Sequence, residues 1–171
     1  MKKYFPILLL AFVSLFIFSC KDDDTDFDTY SQSRDATGTF TSSNNFTLSM
    51  DISIESTDVV LVYRRVGNAW ESIPKTYYLS NVTGYPTGRE LDYNFDFNTS
   101  EVNIRTAANF NQITEMSPSE ATQYLSNQTF RIVLVPASAG KNTNSIDTTD
   151  YNAVVKYYNI DESRIKTYSF R

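Results

Sequence analysis

The 171-residue chain contains no histidine and a single cysteine. Without an imidazole, every histidine-dependent catalytic triad or dyad is excluded. No zinc site built from histidine and cysteine can be assembled either, and one cysteine cannot close an intramolecular disulfide. Positive charge is also in deficit, with 15 Lys and Arg against 20 Asp and Glu and a formal charge of -5. Such a chain lacks the basic face with which nucleic-acid binders displace counterions from phosphates. The apolar run from Ile7 to Phe18 is cut off by Lys21 and Asp22, short of the roughly 20 residues that a membrane-spanning helix needs. The length suits one domain.

What is present begins at the N-terminus. Lys2 and Lys3 precede the apolar run, and Ser19 and Cys20 follow it, the layout of a secretory signal. Ile17-Phe18-Ser19-Cys20 resembles the lipobox of bacterial lipoproteins, although that family more often carries Leu where Ile17 stands. The resemblance implies that residues 1–19 are cleaved as a signal peptide, that the Cys20 thiol carries a diacylglycerol, and that the new amine is acylated. Each buried methylene contributes about 0.8 kcal/mol, so several chains hold where one is marginal. Lys21-Asp22-Asp23-Asp24 resembles the export signal of surface lipoproteins of the Bacteroidota. That resemblance implies a protein anchored in the outer membrane and facing the cell exterior. The alternative is a plain acidic spacer on a protein that stays on the periplasmic face.

Residues 20–36 read as an acidic, disordered tether. Loss of the leader takes away Lys2 and Lys3, and residues 21–35 set six aspartates against Lys21 and Arg34. The segment is too poor in apolar groups to offset its ordering entropy, and about fifteen flexible residues reach roughly 20 Å. Asp24, Asp26, Asp28 and Asp35 match positions one, three, five and twelve of an EF-hand loop. The match fails as a metal site, since Thr29 stands where the turn wants glycine and the bidentate glutamate is missing. No metal or cofactor is expected.

Residues 37–171 read as a β-sandwich domain. Phe46, Leu48, Met50, Ile52 and Ile54 alternate with polar residues, as do Leu91, Tyr93, Phe95 and Phe97, the period of half-buried strands. Val59 to Tyr63 and Phe130 to Val135 are continuous apolar runs, which suit strands covered on both faces. Gly67-Asn68 predicts a hairpin, and Pro74 places its returning strand at an edge. Further strands are expected at Thr76–Leu79, around Val102 and Ile104, and over Lys166, Tyr168 and Phe170. Ser117-Pro118-Ser119-Glu120 is a capping box with proline at the first helical position. Asp150 caps a second helix carrying Tyr151, Val154, Val155 and Tyr158 on one face, ended by Asn159. The fold class is therefore all-β: an antiparallel Ig-like sandwich of about eight strands with two short helices. An open sheet with both helices on one face is the runner-up. Trp70 with Ile73-Pro74, Leu91 to Phe97, and Phe130 to Pro136 together resemble a group of small Bacteroidota lipoproteins with no assigned activity, which adds a class and no mechanism.

Ser72-Ile73-Pro74-Lys75 has the Ser-x-x-Lys spacing of penicillin-recognising enzymes, but it reads as strand and lacks the partner motifs. Glu55, Asp58, Glu71, Glu90, Asp92, Asp96 and Glu101 could supply a hydrolase with two carboxylates, yet most lie at solvated strand positions. No catalytic residue is assigned, and the chain is not expected to be an enzyme. Tyr77, Tyr93, Phe95 and Phe97 are expected between the sheets. Trp70, beside the hairpin turn, is left as a possible ligand contact. Asp147-Thr148-Thr149 resembles the O-glycosylation sequon of exported Bacteroidota proteins and marks Thr148 as a possible site. The expected role is a lipid-anchored binding or assembly module. Its partners are the membrane through Cys20 and an envelope protein or a glycan, the latter as an accessory to polysaccharide uptake.

Overall fold

In the computed structural model, which describes residues 31–140 and 146–171, the alternating segments form strands of two sheets. β1 (Gln32–Gly38), β3 (Val59–Val66), β4 (Ala69–Ser72), β8 (Gln128–Val135) and β9 (Lys166–Ser169) make one sheet in the order β4-β3-β8-β1-β9. β2 (Thr47–Asp51), β5 (Lys75–Tyr78), β6 (Glu90–Phe97) and β7 (Glu101–Ala108) make the other in the order β2-β7-β6-β5. Between them lies a core of Val60, Val62, Phe130 and Ile132 from the first sheet and Leu48, Leu91, Val102 and Ile104 from the second. The molecule is thus mostly β, two sheets with two helices, and the open-sheet alternative does not describe it.

The two continuous apolar runs are explained by what covers them. α1 (Pro118–Tyr124) closes one end of the inter-sheet core through Met116 and Leu125 at its flanks. α2 (Tyr151–Tyr158) lies on the outer face of the five-stranded sheet. There Tyr151 and Val154 pack with Tyr63, Val133 and Val135 in a second apolar cluster. Strand β8 is therefore buried on both faces, as its sequence requires, whereas the outer face of β3 is covered at Tyr63, half-covered at Leu61 and exposed at Val59. Both helix starts follow their sequence signals. Ser117 and Glu120 form a reciprocal capping box, and the Asp150 carboxylate accepts from the amides of Asn152 and Ala153. Asn159 ends α2 in the left-handed conformation at φ 52°. Gly67, at φ +59°, turns β3 into the edge strand β4.

Three expectations are corrected. The tether does not extend to residue 36, because Gln32–Gly38 pair antiparallel with β8 over seven positions. Asp35 lies directly across from Arg131 and meets it in a bidentate ion pair at 2.7 and 2.8 Å. Ladder pairing and a shielded ion pair order this polar segment; apolar alternation does not. The sheet is not wholly antiparallel, since β9 pairs parallel to β1 after α2 carries the chain across the outer face. Phe97 leaves the core at the hairpin end of β6, where it pairs with Val102, and is 40% exposed, whereas Tyr93 is buried and Tyr77 and Phe95 are partly so.

Candidate functional site: a cleft around Arg64

Three arginines are buried: Arg64, Arg89 and Arg131 at 3%, 1% and 8% exposure. A guanidinium removed from water must be compensated, and the three differ in how this is done. Arg89 holds Glu120 with both terminal nitrogens at 2.7 and 2.9 Å and also donates to the carbonyls of Ser80 and Glu115. Those Arg89 hydrogen bonds, against burial, hold the Glu120 carboxyl down to about 2. The pair ties the 79–89 loop to α1. Arg131 meets Asp35 and Glu162, and its guanidinium stands 4.2 Å from the Trp70 ring centroid and 5.2 Å from that of Tyr151. This cluster clamps α2 and the segment after it onto the sheet.

Arg64 is different. It follows Val60 and Val62 on the inner face of β3, but at the end of the sandwich where the sheets part. Its guanidinium carbon lies 4.8, 5.0 and 5.6 Å from the ring centroids of Tyr93, Tyr77 and Tyr124, a cage of electron-rich faces. Nε and Nη2 both donate to the Gln128 side-chain carbonyl at 2.9 and 2.7 Å, and Nη2 also donates to the Gln123 main-chain carbonyl at 2.7 Å. The Tyr93 hydroxyl donates to the next carbonyl, that of Tyr124. Side chains thus satisfy the open carbonyl end of α1, a negative pole that suits a cation. Nearby, the Tyr77 hydroxyl donates to Glu71 at 2.6 Å and Lys75 pairs with Glu71 at 2.9 Å. Burial pushes the Tyr77 phenol up to about 12, with help from Glu71. Burial works the other way on Glu71, but the hydrogen bonds from Tyr77 and Lys75 outweigh it and hold its pKa low.

A cleft of about 490 Å³ opens over this cage, a size that admits a small ligand. Arg64, Tyr77 and Tyr124 form part of its wall, and Gln123, Asn127 and Arg65 lie along it. Gln123 and Asn127 are exposed, and their side-chain amides have no hydrogen-bond partner among the described residues. Asn127 sits at φ 48°, the backbone that brings β8 out of the helix.

The residues singled out from sequence fall elsewhere. Cys20 and Lys21, Asp22, Asp23 and Asp24 lie outside the described residues, as do Asp24, Asp26 and Asp28 of the EF-hand-like spacing. Trp70 is half-buried on the outer face, between the guanidinium groups of Arg131 and Arg65, and takes no part in the cleft wall. Thr148 is exposed before α2, and its carbonyl accepts from the Tyr63 hydroxyl at 2.7 Å. Ser72 ends β4 and Lys75 begins β5, so their spacing does not place them on a helical turn. A carboxylate hydrolase needs one acid with a raised pKa. Among the described residues, every carboxylate shift that is resolved, at Glu71, Glu120, Asp147 and Asp161, runs downward. No group of three or more His, Cys, Asp or Glu placed to hold a metal ion occurs among them.

No family model matches the chain, and neither a curated protein nor a solved structure does. The cleft was missed in sequence because its parts are far apart, in β3, β5, β6, α1 and β8. One local signal pointed to it: Arg64 occupies a core-facing parity in an otherwise apolar strand.

Proposed function

We propose that the protein is a lipid-anchored lipoprotein of the bacterial outer membrane, held at Cys20 and facing the cell exterior. Its folded part is an Ig-like sandwich that works as a binding module without catalysis. The signal, Cys20 and Lys21 to Asp24 support the anchor and its address, and two facing sheets of mostly antiparallel strands support the Ig-like reading. The observation that carries the binding reading is the cleft over Arg64, with tyrosine faces in its wall and unpaired amides along it. Those groups suit a glycan. Sugars offer hydroxyls to amides and guanidinium nitrogens, and apolar C–H faces to aromatic rings. A second reading, docking of an envelope protein, is favoured by β9, a sheet edge exposed along all four residues.

Two tests address the two halves. Cys20→Ala releases the protein from the membrane fraction if the thiol carries the anchor; persistence there contradicts the lipoprotein reading. For the cleft, Gln123→Ala with Asn127→Gly removes both amides while keeping the helix and the left-handed backbone. Binding to a panel of immobilised glycans is expected to fall in this variant with its unfolding midpoint nearly unchanged. Undiminished glycan binding would place the site elsewhere.

A further inference from the structure

Resting on the reading of the cleft as a glycan site, we infer that its ligand is an acidic sugar whose carboxylate is received by Arg64. The comparison among the three buried arginines carries this. Arg89 has Glu120 and Arg131 has Asp35 and Glu162 as direct carboxylate partners. Arg64 has none among the described residues; its hydrogen-bond partners are a glutamine carbonyl, a main-chain carbonyl and the Tyr77 hydroxyl. The carboxylate across the ladder, Glu71, is taken by Lys75 and the Tyr77 hydroxyl.

Arg64 also shares a hydrogen bond with the Tyr77 hydroxyl, which leaves Nη1 without a carbonyl or carboxylate partner among the described residues. Arg64 helps to line the cleft. The cleft wall holds two arginines and no aspartate or glutamate, although acids outnumber bases in the chain. A held cation with no carboxylate of its own, in the wall of such a cleft, matches a ligand carboxylate, because a hydrogen bond between charged groups is roughly twice as strong as a neutral one. The rings of Tyr77 and Tyr124 then stand beside the sugar, and the amides of Gln123 and Asn127 meet its hydroxyls.

The test compares glucuronic, galacturonic and sialic acids with their methyl esters, in which the same sugars are neutral, by calorimetry on the full-length protein in detergent. At least one acid is expected to bind at least about tenfold more tightly than its ester, with the advantage shrinking as salt rises. Arg64→Gln is expected to erase the difference between acid and ester. Where that variant does not fold, the comparison on the unaltered protein decides alone. Equal binding of acid and ester overturns the assignment of Arg64 and leaves the glycan reading standing. Binding of neither by this cleft, with capture of polyglutamate instead, overturns both.

Discussion

Glu120 answers two demands with one carboxylate. It closes the capping box by accepting from the Ser117 amide at 2.8 Å, and it grips Arg89 with both oxygens. Glu120→Ala leaves Arg89 buried without its carboxylate, with only the Ser80 and Glu115 carbonyls as partners, which is expected to cost about 3–5 kcal/mol in urea unfolding at neutral pH. The pH dependence follows in sign. The native pKa, about 2, lies below the ordinary value of 4.5, so the contribution of this group is whole above about pH 4.5 and fades as pH falls toward 2. Glu120→Gln is expected to lose that part of the acid dependence, read as a flatter plot of unfolding free energy against pH over this window. Trp70, held between Arg131 and Arg65 on the outer face, is a packing residue by its surroundings. Trp70→Ala is expected to lower stability by about 1–3 kcal/mol while glycan affinity stays unchanged; a lost affinity would move the site to that face.

At the scale of elements, α2 depends on its first turn as much as on its apolar face. Asp150→Ala removes the acceptor for two helix amides and is expected to cost about 1 kcal/mol, measured by thermal unfolding. β1 is a stronger case. It lies between β8 and β9, so a chain starting at residue 39 leaves β8 unpaired on one side and strips Ala36 from the core. Such a chain is expected to show no cooperative unfolding transition by circular dichroism. A sharp transition would restore the tether boundary at residue 36. The contrast explains what the sequence made legible. β2, β3, β6, β7 and β8 and both helices stand out because each carries its own apolar period or cap. β1 has one buried apolar residue, Ala36, among Gln32, Arg34, Asp35 and Thr37, and its order comes from partners about a hundred positions away. The parallel placement of β9 is likewise set by where α2 delivers the chain. Of the cleft, Arg64 was visible as a charge at a core-facing position, while its three tyrosines meet it only through the fold.

Over the whole molecule, charge is divided by place. The acidic stretch that follows Cys20 holds Asp22, Asp23, Asp24, Asp26 and Asp28, while the cleft at the end of the sandwich holds Arg64 and Arg65 and no acid. The proposed lipid anchor at Cys20 and acidic lead would present the domain to ligands outside the cell, and that placement is the central claim. It is tested most directly by protease shaving of intact cells, comparing the native protein with a variant in which Lys21, Asp22, Asp23 and Asp24 are all Ala. The predicted result is loss of the native band with protection of the variant, which is cut only after the outer membrane is opened. Protection of both, while a known surface protein is digested, would contradict a surface-facing module and put its ligand in the periplasm.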